Sequence, residues 1–315
     1  MKVIASHNGL EATQLTWQLL LKKTLLLDAC VEGVALVEDD PDEHTVGYGG
    51  LPDEQGEVTL DAAVMDGRTH RGGSIIGLRE VRHVSKLALR LMKESRRVML
   101  QGDGACEFAR ACGFPKENLL TDKARKLWRL WKRTYQSNME WLPPPADEET
   151  KALMKILNRF YQHPAGTVHL AGQDEHGDLA CVTSTSGHCF KTKGRVGDSP
   201  IFGAGLYVEN DKGTCGSLGH GEANLLNCSS FLAVHLMGQG MSPRDAGMEA
   251  MQQAARHAPP FEVDALGRPN FHLQLYLLAK DGSHAGVCMR GDWKFSVTDQ
   301  NGTRHETCEP LFRAD

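Results

Sequence analysis

Two short runs, residues 167–174 (TVHLAGQD) and 178–185 (DLACVTST), flank the polar turn at 175–177 and constrain this chain more than any other stretch. Short strands on either side of a glycine-bearing turn predict a β-hairpin. A loop of two or three residues sets the register so that Thr167 falls opposite Ser184 or Thr185. The first residue of one strand and the last residues of its partner then meet at one sheet end. Their hydroxyls stand side by side there.

Around this hairpin the texture changes. Upstream, apolar positions recur at helical spacing over residues 12–21, 25–37 and 84–93, and a glycine-rich turn leads into a predicted strand at 58–65. Residues 123–133 (KARKLWRLWKR) place Leu127, Trp128, Leu130 and Trp131 at helical spacing. This predicts a core-facing helix with a solvated basic side rather than a membrane or partner surface. Residues 136–149, with Pro143, Pro144, Pro145 and a run of acids, read as an exposed connector. A helix over 149–161 and a break at 163–166 (HPAG) follow. The chain thus reads as one unit before Gly166 joined to a strand-rich second half, with further strands at 272–280 and 293–298.

Composition excludes several classes. A chain of 315 residues can bury a large core, and a formal net charge of −5 argues against a nucleic-acid surface built on bulk positive charge. The apolar run at 19–27 is interrupted by Lys22 and Lys23, so no membrane span is expected. The opening residues lack the apolar core of a secretory signal, and a cytoplasmic location is expected. Nine cysteines without a CxxC pair suit reduced, mostly buried thiols, including Cys181, Cys189 and Cys215. None of His83, His163, His169, His176, His188 and His220 falls in an H-x-x-x-H or H-E-x-x-H pattern. Neither a metal nor a cofactor is expected. The sequons at Asn227 and Asn301 read as chance.

Threonine is a poor nucleophile until its own α-amine is free to take the hydroxyl proton and return it to a leaving group. An internal threonine reaches that state only by cleavage of the peptide bond before it. Gly166, in a loop ahead of a strand, offers such a bond to Thr167. The surrounding motifs are GTV (166–168), TSTSG (183–187), GRVGDSPIFGAG (194–205) and GHGE (219–222), preceded by GYGGLPDEQGEVTLDAAVMDG (47–67) and GGSIIGLREV (72–81). In this order they resemble the N-terminal-nucleophile, type 2 asparaginase family, and glycosylasparaginases within it most closely. The resemblance covers most of residues 1–225 and is weak after Asn227.

The resemblance implies an α+β fold, a four-layer αββα sandwich. It also implies self-cleavage between Gly166 and Thr167 into an α chain of residues 1–166 and a β chain of residues 167–315, folded together, and assembly as a dimer of such pairs. Thr167 falls on the family's nucleophile and Thr185 on the threonine that orients it. Arg195 falls on the arginine that grips a substrate α-carboxylate, and Asp198 on the acid that holds its α-amine. Val196 and Gly197 lie between them, and Leu218, Gly219, His220 and Gly221 line the substrate and oxyanion pocket, with Gly219 counted among the catalytic positions. The partner implied is a small aspartyl or asparaginyl substrate.

Departures qualify the substrate. Where the family has an oxyanion-donating threonine, this chain has Leu218, and Ser217 is the neighbouring hydroxyl. Gly166 and the GHGE wording resemble plant-type asparaginases and isoaspartyl peptidases, whereas the PDE stretch at 52–54 resembles glycosylasparaginases. His7 stands where glycosylasparaginases have a tryptophan beside the substrate, and His7 and Asn8 read equally as strand-end residues. The preferred activity is hydrolysis of N4-(β-N-acetylglucosaminyl)-L-asparagine. The alternatives are an isoaspartyl peptidase or L-asparaginase, and an uncleaved, non-catalytic binding protein of the same fold.

Overall fold

A computed structural model of the chain describes residues 1–135, 142–162 and 166–313. Residues 163–165 of the HPAG break and residues 136–141 of the connector lie outside them. The chain opens with β1 (Lys2–Ser6), α1 (Leu10–Leu21) and α2 (Leu26–Asp39), then β2 (Leu60–Asp66) and β3 (Arg71–Leu78). There follow α3 (Val84–Glu94), β4 (Met99–Gln101), α4 (Gly102–Ala111), α5 (Asp122–Tyr135) and α6 (Glu148–Gln162). The predicted hairpin is β5 (Val168–Gln173) and β6 (Leu179–Thr185). The remaining elements are β7 (Leu206–Glu209), β8 (Gly213–Gly219), α7 (Gly221–Asn227), α8 (Ser229–Gly238) and α9 (Pro243–Arg256). The chain ends with β9 (Leu273–Ala279), β10 (His284–Arg290), β11 (Lys294–Asp299), β12 (Gly302–Thr307) and β13 (Glu309–Phe312).

The strands form two sheets. One has eight strands in the order β12-β11-β1-β5-β6-β2-β3-β4, and the other five in the order β13-β10-β9-β8-β7. Pairing is antiparallel except for β3 with β4 and β10 with β13. The larger sheet draws its strands from both sides of Gly166. β1 inserts between β11 and β5, and β2 pairs with β6, so strands from both sides of Gly166 alternate across it. The hairpin register pairs Val168 with Ser184, which sets Thr167 opposite Thr185 at the sheet end.

Three groups of buried side chains place the helices and sheets. Val31 and Val34 of α2 and Leu87 and Leu91 of α3 pack with Val64, Leu170 and Val182 on one face of the larger sheet. Val234 of α8 and Ala250 and Met251 of α9 pack with Leu275, Leu277 and Val287 of the smaller sheet. Ile4, Ala63 and Cys181 of the larger sheet share a cluster with Leu206, Leu218 and Tyr276 of the smaller. Apolar burial of this extent is the main source of stability, about 25 cal/mol per Å² removed from water. The basic stretch forms α5 as expected. Leu127 and Leu130 are buried with Leu157 of α6 and Phe190, on which Trp131 stacks at 4.6 Å, while Lys123 pairs with Asp42 outside. No described helix is long and apolar enough to cross a membrane.

Candidate active site

The sheet end where β5 begins and β6 finishes collects the hydroxyl groups expected there. Thr167 Oγ1 lies 3.2 Å from Thr185 Oγ1, 2.8 Å from the Gly166 carbonyl oxygen and 3.3 Å from Ser199 Oγ. Thr185 Oγ1 accepts from the Gly187 N–H at 2.9 Å. Its single proton has two carbonyls in reach, Gly166 at 2.8 Å and Thr45 at 3.4 Å, and the shorter bond is the stronger. The Gly166 carbonyl is therefore bracketed by the hydroxyls of the two threonines. Thr167 is only 6% exposed and Thr185 2%, so this is a dry setting in which each hydrogen bond counts for more than in water.

The loop before β2 fits Gly166 closely. A side chain at 166 would collide with Thr45, whose hydroxyl donates to Glu43; Glu43 in turn accepts from Asn8 Nδ2 at 3.1 Å. Asn8 thus belongs to a network beside the Gly166 peptide, together with Ser6, whose hydroxyl donates to Asn8 Oδ1 at 2.7 Å and accepts from the His169 N–H at 3.1 Å. His7 is exposed, with its carbonyl bonded by Ser296 and His305 at the end of β1. Behind β6, the buried Lys191 ammonium donates to the Ser186 carbonyl at 2.9 Å, and burial pushes its pKa below the usual range against the opposing charge of Asp61.

The loop after β6 and the start of α7 supply the charged residues. The turn holding Asp198 is tied to β3 through Ser74 Oγ, which donates to the Pro200 carbonyl at 2.7 Å. Asp198 is buried, and its Oδ2 accepts from Ser217 Oγ at 2.6 Å and Asn224 Nδ2 at 2.7 Å. Arg195 pairs with neither Thr167 nor Asp198. Its Nε and Nη2 donate to the two carboxylate oxygens of Glu222, each at 2.8 Å. Burial opposes charge on Glu222, but Arg195's hydrogen bonds and charge outweigh it and hold the carboxyl down to about 2. Gly197 and Gly221 make room for this head group: a Cβ at either would meet an Arg195 nitrogen at 2.9 Å, and at 221 also Asp198 Oδ1 at 3.0 Å. Val196 is exposed on the outside of the turn.

β8 brings the remaining predicted residues to the same end. Gly219 has φ +132°, a conformation that disfavours side chains, and a Cβ there would strike the His272 carbonyl. His220 stacks on Phe271 at 4.7 Å, with Nε2 2.9 Å from Glu262 Oε1. Leu218 is buried in the apolar cluster between the sheets and offers no donor. Ser217 does not replace it, because its hydroxyl is committed to Asp198. Ser199, Thr45, Glu43 and Glu222 complete the site and were not singled out in the sequence. Ser199 and Glu222 do sit inside the GRVGDSP and GHGE motifs, whereas nothing in the sequence marks Thr45 or Glu43.

The cysteines are free, and Cys181 and Cys215 are buried while Cys189 is half-buried. Burial pushes the Cys181 and Cys189 thiols up to about 12, which leaves them un-ionised and unreactive near neutral pH. A thiol nucleophile is thereby disfavoured. Asn227, in one of the sequons, is buried, with Nδ2 donating to the Ala223 carbonyl at 2.8 Å.

The chain matches known proteins over most of its length. The family described as Asparaginase matches residues 3–261. The chain is 38% identical over 308 residues to an N(4)-(Beta-N-acetylglucosaminyl)-L-asparaginase of Elizabethkingia miricola, covering 97% of this chain and 83% of the relative. It is 32% identical over 323 residues to the protein named Probable isoaspartyl peptidase/L-asparaginase 3 of Arabidopsis thaliana, covering 95% of this chain and 87% of the relative. Matches of this extent show that the chain is an amidohydrolase and belongs to the type 2, N-terminal-nucleophile asparaginase family.

Proposed function

We propose that the chain cuts itself between Gly166 and Thr167 and then uses Thr167 as the nucleophile of a glycosylasparaginase. The observation that carries this reading is the convergence of the Thr167 and Thr185 hydroxyls on the Gly166 carbonyl. In the uncut chain Thr167 Oγ attacks the Gly166 carbonyl carbon, and Thr185 stabilises the charge that develops on its oxygen. The C–N bond breaks to give an ester, which water splits. This leaves a Gly166 carboxylate and the free α-amine of Thr167.

That amine then serves as the base for the second reaction. Thr167 Oγ attacks the side-chain amide carbonyl of an aspartyl substrate, a glycosylamine leaves, and water hydrolyses the β-aspartyl ester. Arg195 binds the substrate α-carboxylate in place of Glu222, whose paired oxygens already present the same two-point target. Asp198, fixed by Ser217 and Asn224, receives the α-amine. The α+β arrangement, with helices against the outer faces of two sheets and a shared cluster between them, supports the four-layer sandwich within this reading. Assembly as a dimer of cleaved pairs belongs to it as well.

The second reading is an isoaspartyl peptidase or L-asparaginase, favoured by Gly166 and by the Arabidopsis relative. Hydrolysis of N-acetylglucosaminyl-asparagine, asparagine and a β-aspartyl dipeptide, compared by kcat/KM, separates the two. The glycosylated substrate is expected to lead, and preference for the dipeptide rejects that choice.

A further inference from the structure

Beside Arg195 lies a group of side chains that make and break no bond in the hydrolytic steps. One ligand atom each from His188, His220 and Glu222 lies within 4.8 Å of the others. His188 follows β6, His220 immediately precedes α7 and Glu222 lies in its first turn, so the two histidines are 32 positions apart and no sequence spacing announces them. We propose that these three residues bind a zinc-like divalent transition-metal ion at the edge of the Arg195 pocket, and that the bound ion inhibits hydrolysis. The inhibitory part rests on Arg195 being the group that receives the substrate carboxylate.

Three observations support the site. His188 Nε2 is buried and has no hydrogen-bond partner among the described residues. A buried imidazole nitrogen without a partner keeps a lone pair that a metal ion can take. His220 is held in place by its stack on Phe271. Glu222 contributes the negative charge. Two imidazoles and one carboxylate with an open fourth position suit Zn²⁺ or Co²⁺ better than Mg²⁺ or Ca²⁺, which take mainly oxygen ligands. Ligand atoms about 2 Å from one ion lie about 3–4 Å apart, so closing the group asks only for small side-chain rotations.

The link to activity runs through Glu222. Its carboxylate occupies both donors of Arg195 in the ligand-free chain, and a substrate carboxylate has to displace it. An ion that anchors Glu222 to His188 and His220 holds it against Arg195. Substrate then competes with a carboxylate fixed at two points rather than one.

The test uses the full-length protein, stripped with a chelator and titrated with Co²⁺, followed by Zn²⁺. One Co²⁺ per chain with the intense visible bands of a four-coordinate site is expected, and these bands should disappear as Zn²⁺ displaces it. His188→Gln should weaken Co²⁺ binding by about 100-fold, at least the loss seen when a metal ligand's outer partner is removed. His176→Gln, on the exposed β5–β6 turn, should leave binding unchanged. Zn²⁺ should inhibit hydrolysis by wild type but not by His188→Gln. Equal Co²⁺ affinity in wild type and His188→Gln, or no binding by wild type, overturns the site. Should His188→Gln fail to fold, His220→Gln gives the same comparison of Co²⁺ binding alone. Zn²⁺ that fills the site without slowing hydrolysis overturns the inhibitory part. Binding by a protein that hydrolyses no amide upholds the site and rejects the proposed activity; hydrolysis without binding does the reverse.

Discussion

Leu218, next to Gly219, and His169, two residues after the proposed nucleophile, each set a measurable property. Leu218 fills the apolar cluster between the sheets, at the position where the family resemblance implies an oxyanion donor. Leu218→Thr should therefore raise kcat, by up to about 100-fold given what a single oxyanion donor contributes. The lost apolar contacts should lower stability by about 1–3 kcal/mol, so turnover and thermal unfolding should move in opposite senses. His169 is fully buried under Gly216, its Nδ1 3.0 Å from Thr183 Oγ1, and burial pushes its pKa from 6.5 down to about 3. Its folded pKa is depressed, so the unfolded chain takes up a proton first as pH falls. The native advantage is full above 6.5 and shrinks through the interval down to about 3. Within it, stability should fall by about 1.4 kcal/mol per pH unit from this group alone. Urea unfolding between pH 4 and 7 should show a slope in wild type that exceeds that of His169→Gln by about this amount, since other buried histidines such as His188 titrate in both.

At the scale of elements, one carboxylate fixes three of them around the hairpin. Glu38, at the end of α2 and fully buried, accepts from the Ser85 N–H and hydroxyl at the start of α3 and from the Ser184 hydroxyl of β6. Glu38→Ala strands these buried donors and should cost about 2–4 kcal/mol, more than Glu38→Gln, in denaturant titrations. The hairpin itself was legible because β5 and β6 carry β-branched and apolar residues on both sides of a turn, and its register brought Thr185 to Thr167. Helices α1, α2, α3 and α5 were legible from their spacing, to within a few residues at their ends. The glycine-bearing strands were not. In β3, a Cβ at Gly73 would strike the Ala88 carbonyl of α3, and in β8 a Cβ at Gly216 would strike the His169 ring. Close packing requires glycine at these places, and glycine erases the alternation by which a strand is read. The position of β1 in the middle of the sheet was hidden for a different reason: five residues, KVIAS, carry too short a pattern. Glu222 as the partner of Arg195 was equally illegible, since only the approach of α7 to the 194–198 turn brings them together.

Across the whole molecule, strand order ties the fate of the two segments together. β1 lies between β11 and β5, and β2 lies beside β6, so residues before and after Gly166 share one sheet and one core. Cutting the Gly166–Thr167 bond removes no strand from its neighbours. Cleaved segments should co-migrate in native gel filtration and separate only in denaturant. The intact mass of the purified protein in denaturant, beside that of Thr167→Ala, tests the central claim most directly. Two fragments from wild type, meeting between residues 166 and 167, and a single chain from the variant are predicted. One uncut chain from wild type, or the same two fragments from Thr167→Ala, contradicts the account.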